Sequence, residues 1–279
     1  MKSRIESENN VQKEYEDSLN DIVMTESNEA VEEEKVYNLL AGYVDEDGIT
    51  HDTFTLREMT GADEEYINRS DIKTNGTKIS TALLSRCVTS IGTLTRKSVG
   101  SKKWEDIIKS LYVGDRDVML MELRRISQGD EITVSHTCPN PDCKAKLKTT
   151  INLDELEVVE FDGMREIPFE LPKGYTDKKG EVHKMGVMRR PNGLDGELLT
   201  PVAKNNLAKA TTLLLTRICK FDDGVYIDES VMASLSVKDR NYLNNLLEEH
   251  FFGIDMSVDV MCDRCGEYFK GNLNQTNFI

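Results

Sequence analysis

Long apolar runs are missing from this 279-residue chain: no stretch approaches the 18 or so consecutive apolar residues that a membrane-spanning helix needs. A cation surplus is missing too. Thirty-five Lys and Arg face 50 Asp and Glu, a net charge of −15, which argues against wrapping duplex DNA, whose phosphates demand positive charge. Aromatic residues are sparse at 6%, with one Trp, so few side chains can serve as base-stacking platforms. The start, MKSRIESENN, has none of the apolar character of a signal peptide, which points to a chain that stays in a cytosol. In that compartment six cysteines are expected as thiols or metal ligands rather than disulfides. The phosphate-binding GxxxxGK[ST] and GxGxxG loops, the GxSxG elbow and the HExxH zinc helix are all absent, and no carboxylate pair is singled out by spacing. Nothing therefore points to an enzyme.

What is present begins with an acidic arm. Residues 1–35 carry four Lys or Arg against eleven Asp or Glu, ending in Glu32-Glu33-Glu34. Such a segment buries too little apolar area to offset its ordering entropy, so residues 1–37 read as a tail that needs a partner to hold it. The remainder, at about 150 residues per domain, is long enough for more than one folded unit.

That remainder reads as a tandem repeat. Residues 42–65 (GYVDEDGITHDTFTLREMTGADEE) and 174–197 (GYTDKKGEVHKMGVMRRPNGLDGE) share 9 of 24 positions without a gap, where chance supplies about one or two. The shared pairs include Gly42/Gly174, Asp45/Asp177, His51/His183, Arg57/Arg189 and Asp63/Asp195. Leu83-Leu84-Ser85-Arg86 answers Leu214-Leu215-Thr216-Arg217. Residues 110–138 and 234–262 then share 9 of 29 positions, among them Asp115/Asp239, Arg116/Arg240, Gly129/Gly253 and Cys138/Cys262. The expected units are 38–165 and 166–279.

Each unit has one grammar, which predicts an α+β fold. A hairpin turns at Asp47-Gly48 or Lys179-Gly180. A helix follows over Thr77–Ser90 or Asn205–Ile218. A second helix is expected to start from Asp115 or Asp239 as N-cap, with Val118, Met119, Met121, Leu123 and Ile126, or Tyr242, Leu243, Leu246, Leu247 and Phe251, on its apolar face. Gly129 and Gly253 suit its C-terminal turn. A strand alternating Ile132, Val134, His136, or Met256, Val258, Val260, leads to a cysteine pair.

Those pairs carry the strongest chemical signal. Cys138 and Cys143 span one tight turn between strands, and Cys262 and Cys265 span another. Two such knuckles supply the four soft ligands that tetrahedral Zn²⁺ prefers, so one structural zinc per chain would clasp the two units. Unligated thiols and a redox dithiol at Cys262/Cys265 are the competing readings; the latter normally opens a helix, which this strand-to-strand motif does not. Cys87 and Cys219 lie in apolar helices and read as small core residues. His51 and His183 sit at polar hairpins with no assignable acidic or Cys partner, and His136 reads as packed beside the knuckle. Basic residues at Arg96, Lys97, Lys102 and Lys103 flank Trp104, and Lys144, Lys146 and Lys148 alternate after a knuckle. A zinc-ribbon nucleic-acid-binding protein is therefore the alternative, weakened by the charge of −15.

The stretch LYVGDRDVMLMELRRISQGDEITVSHTCPNPDCKAKLKTTINLDELEV (111–158), with the preceding helix TKISTALLSRCVTSI, resembles the baseplate hub assembly proteins of T-even-type contractile-tailed phages. The match lies in the helix, the strand, the Cys pair and the closing Ile151–Val158 phrase. The long acidic arm and a second half with its own CxxC depart from that pattern. The resemblance implies a non-enzymatic protein of tail or baseplate morphogenesis, made in the host cytoplasm. Its partners would be other tail proteins, with the acidic arm docking on a basic surface of one of them.

Overall fold

The computed structural model describes residues 35–273 and 275–278, so all but the last three residues of the acidic arm lie outside the described residues. The first strand already starts at Val36. Strands β1 (Val36–Val44) and β2 (Thr50–Leu56) form the expected hairpin, with Asp45 Oδ1 accepting the turn's Asp47 and Ile49 N–H groups at 3.0 and 2.9 Å. Helices α1 (Gly61–Ile67) and α2 (Gly76–Cys87) follow. The chain then returns as β3 (Val88–Ile91) against β2, and β4 (Leu94–Thr95) completes a four-stranded antiparallel sheet. Three helices come next: α3 (Arg96–Val99), α4 (Ser101–Ser110) and α5 (Val113–Gln128). A hairpin of β5 (Glu131–Thr137) and β6 (Lys146–Asn152) and a short β7 (Val158–Val159) end this half.

The second half runs through β8 (Glu166–Thr176), β9 (Val182–Arg189), α6 (Gly193–Ala203), α7 (Leu207–Ile218) and β10 (Cys219–Phe221). It continues with α8 (Glu229–Ser234), α9 (Val237–Glu249), β11 (Gly253–Ile254) and a last hairpin, β12 (Ser257–Met261) with β13 (Tyr268–Asn272). Strands gather in several small antiparallel sheets with helices packed around them, which is an α+β architecture.

Residues paired in the sequence occupy matching places. Tyr43 faces His51 across β1–β2 as Tyr175 faces His183 across β8–β9, each just after a register shift. The glycines that precede these tyrosines have φ of +71° and +86°. A Cβ there would lie 2.9 Å from His51 O at Gly42 and 2.6 Å from His183 O at Gly174, so both turn geometry and space require glycine. Beyond each hairpin a buried aspartate opens a helix. Asp63 takes Arg57 (2.7 and 3.0 Å) and Arg86 (2.6 Å); Asp195 takes Arg189 (2.7 and 2.9 Å) and Arg217 (2.7 Å).

Some expectations are corrected. Asp115 and Asp239 are not N-caps: Tyr112 and Ser236 are, and both aspartates sit inside the first turn. Their carboxylates reach instead to the first strand of each hairpin, Asp115 to Leu40 N and Ala41 N (2.7 and 2.9 Å) and Asp239 to Lys173 N (2.7 Å). The irregular strand there has backbone donors that no neighbouring strand satisfies, and that need outweighs capping. Gly253 belongs to β11 rather than to a helix end, and Phe251 lies past α9 and is exposed. Gly129 does close α5, at φ +88°.

Two apolar cores result. One gathers Phe54, Leu83, Leu84, Ile91, Trp104, Ile108, Met119 and Leu120; the other gathers Ile167, Phe169, Met188, Leu215, Phe221 and Leu243. The last hairpin contributes Val258, Val260 and Leu273 to the first core, although it lies far along the chain. At the seam Arg116 is fully buried, donating to Ile108 O (2.7 Å) and Thr81 Oγ1 (2.9 Å) with Gly193 packed against its guanidinium. Burial pushes that guanidinium down to about 10.

Candidate metal centre

Each cysteine pair is presented by a hairpin whose alternation buries one face. In β5 the inward residues are Ile132 and Val134, in β6 Leu147 and Ile151, and in β12 Val258 and Val260. The turns are built alike. Cys138 N donates to Ala145 O at 2.9 Å, and Cys262 N donates to Glu267 O at 2.8 Å. The residue after the second cysteine has positive φ in both, Lys144 at +46° and Gly266 at +75°. That left-handed step folds the second sulfur back towards the first. The two hairpins meet where the His136 ring crosses Gly271: a Cβ there would lie 2.5 Å from the imidazole, and Phe269 packs edge-on at 6.4 Å.

The result brings all four sulfurs together, from pairs more than a hundred residues apart. Cys138 Sγ lies 3.6 Å from Cys265 Sγ, and Cys143 Sγ lies 3.8 Å from Cys262 Sγ; all four sulfurs are within 4.8 Å of one another. A disulfide needs about 2.05 Å, so these are free thiols. A tetrahedral ion bonded to sulfur at about 2.3 Å puts neighbouring sulfurs about 3.8 Å apart, and the observed spacings fit that edge. Cys138 and Cys262 are buried while Cys265 is exposed.

The thiols do not ionise independently. Burial opposes ionisation of Cys262, but the backbone N–H groups of Cys265 and Arg264 and the neighbouring sulfurs pull it down to about 7. At Cys265 the backbone hydrogen bond from Glu267 favours the thiolate; burial and the sulfurs of Cys143, Cys262 and Cys138 outweigh it and push the group up to about 12. Burial also raises Cys138. One thiolate forms readily and the next is opposed, so a fully ionised cluster calls for a cation at its centre. The arrangement can hold a metal with its coordination shell filled by protein, leaving no open position for a substrate.

Residues 43–270 match the family described as T4 bacteriophage base plate protein. The chain belongs to that family. The matched span takes in all four cysteines of the cluster. No curated protein matches the chain, and no solved structure does.

The other sequence-derived residues fall elsewhere. Cys87 and Cys219 are buried, and burial pushes their thiols up to about 11 and about 12, as inert core residues require. Lys144, Lys146 and Lys148 are exposed on the first knuckle, but Trp104, beside the Arg96–Lys103 cluster, has no exposed surface and donates to Ser85 O at 3.2 Å. It cannot stack on a base. His51 and His183 are not solvent-facing or unpartnered: both are buried, His51 against Asp45 (3.0 Å) and His183 against Asp223 (2.6 Å). Asp45, six residues before His51, was a local signal for the first contact; Asp223 lies forty residues beyond His183 and had none. Among the described residues, no helix is long and apolar enough to cross a membrane.

Proposed function

We propose that the chain is a non-enzymatic structural protein of a phage tail baseplate, a hub-associated subunit or assembly chaperone that binds other tail proteins. Membership of the base plate family over most of the chain carries this reading. Cys138, Cys143, Cys262 and Cys265 hold one structural Zn²⁺ in it, supported by the four-thiol donor set and by sulfur spacings close to a tetrahedral edge. The ion pins the C-terminal hairpin onto the first core and so fixes one half of the molecule against the other. A rigid, saturated site of that kind suits a scaffold rather than a catalyst. The body is read as two copies of one unit, 38–165 and 166–279, supported by the matched hairpins, the paired Arg–Asp–Arg triads and the two knuckles. Assembly takes place in the host cytoplasm, with the finished tail as the destination.

Exposed apolar side chains on α6 and at the start of α7, Leu194, Leu198 and Leu207, offer surface for a protein partner. The test is affinity capture of purified tail proteins on the full chain after nuclease treatment. Capture of a baseplate protein without nucleic acid is the expected result. A salt-dependent gel shift with no tail-protein capture would favour the zinc-ribbon nucleic-acid alternative instead.

A further inference from the structure

We propose that the tip of the β8–β9 hairpin binds a divalent first-row transition cation through Asp177, Glu181 and His183. One oxygen from each carboxylate and one imidazole nitrogen lie within 4.8 Å of one another. The imidazole sets this cluster apart from an ordinary acidic surface. His183 is 6% exposed, and its Nδ1 faces Asp223 Oδ2 at 2.6 Å. A carboxylate only accepts, so the ring's proton sits on Nδ1, and in the neutral ring Nε2 presents a lone pair. That Nε2 is buried with no hydrogen-bond partner; its neighbour Asp177 Oδ2 is 3.8 Å away, too far for one. A histidine oriented through Nδ1 by a carboxylate, with Nε2 turned to further carboxylates, is the arrangement by which proteins present imidazole to a metal.

The carboxylates are disposed to match. Asp177 Oδ1 is committed to the turn, accepting Lys179 N and Glu181 N at 2.8 and 2.9 Å, which leaves Oδ2 towards His183. Glu181 is exposed in the turn just before the returning strand, so its carboxylate can swing onto an ion. One nitrogen and two oxygens suit the Mn²⁺ to Zn²⁺ series rather than the thiolate-seeking ions of the cysteine cluster.

The first hairpin is a built-in control. There His51 turns Nε2 onto Asp45 Oδ2 at 3.0 Å, Gly92 lies on its Nδ1 side with no room for a Cβ, and Ile49 stands where the second hairpin has Glu181. It has the aspartate and the histidine but neither the orienting acid nor the third ligand.

The experiment is a titration of the full chain, its zinc in place, with Mn²⁺, followed by calorimetry and by loss of the free-ion paramagnetic resonance signal. Mn²⁺ prefers oxygen and imidazole ligands and does not compete for thiolates. One bound Mn²⁺ per chain is expected, weakened at least about tenfold in Glu181→Gln and in Asp177→Asn, and unchanged in Asp45→Asn. Asn at 177 keeps the acceptor that holds the turn, so unchanged thermal melting shows that the fold survives. No binding below about 1 mM Mn²⁺ overturns the proposal and leaves His183 as an imidazolium between Asp223 and Asp177. Equal binding by the wild type and both carboxylate variants overturns it as well, by placing the ion elsewhere.

Discussion

Asp63 shows what a single buried carboxylate can organise. It closes the capping box with Thr60, receives two arginines, and joins β2, α1 and α2 at one point. Replacing it by Asn leaves both guanidinium groups without their charge partner. Arg57 and Arg86 are partly exposed and can rehydrate, so the expected loss is about 3 kcal/mol, at the low end for a broken buried pair, read from the urea midpoint. The hydrogen bond from Arg57 is the chief cause that holds this carboxyl well below the ordinary value of 3.8. A carboxylate depressed by folding contributes stability that is present above its unfolded pKa and lost as pH falls through the folded one. Asp195 shifts the same way: burial opposes ionisation, but Arg189 and Arg217 outweigh it. Asp115 runs in the opposite sense, because burial raises it. Asp162 and Asp239 are lowered as well, so the depressed carboxylates outweigh the raised one and stability is predicted to decline as pH drops below about 4, with a shallower decline in Asp63→Asn, as measured by denaturation at several pH values. The sequence paired Asp63 with Asp195, Arg57 with Arg189 and Arg86 with Arg217, but not the ion pairs they form, because Arg86 and Arg217 approach their aspartates from more than twenty residues away.

At the scale of the hairpin and helix, the two knuckles differ in one testable way. Gly266 takes its left-handed step without strain, whereas Lys144 takes the equivalent step with a Cβ. Gly266→Ala is expected to destabilise by about 1 kcal/mol and Lys144→Gly to be neutral or stabilising by a few tenths, both read from thermal melts. Gly271→Val should cost more, since its Cβ has no room beside His136. Elements of this kind were legible because their information is local: a cysteine spacing, an Asp or Lys before Gly, an apolar alternation. The starts of α2 and α7 and the turns at Gly48 and Gly180 follow from such signals, but the helix expected to run to Ser90 stops at Cys87, where Val88–Ile91 pairs with β2, and Cys219, expected in a helix, opens β10. Asp115 and Asp239 were misjudged for the converse reason. Each lies near the start of a helix, where capping is the local expectation, while the donors it satisfies are more than sixty residues away. Whether the basic cluster around Trp104 faced solvent was equally beyond a local reading: the helix α4 turns Lys102 and Lys103 outward and its indole into the core.

Over the whole molecule, the decisive contact is between residues about 120 apart that meet at one point. The C-terminal hairpin reaches back to the first core, Arg116 bridges α2, α4 and α5 beside Gly193, and Arg190 ties the Asp162 segment to His250 beyond α9. The apolar contact of Val258, Val260 and Leu273 holds the hairpin in place, and a zinc at the four sulfurs would lock it. The most direct measurement is the zinc content of the purified, dialysed chain, beside a Cys262→Ser/Cys265→Ser variant. About one tightly held zinc per chain is expected, lost in the variant together with several degrees of melting temperature. Protein purified without chelator that carries no zinc, or a variant that melts where the wild type does, would contradict the clasp.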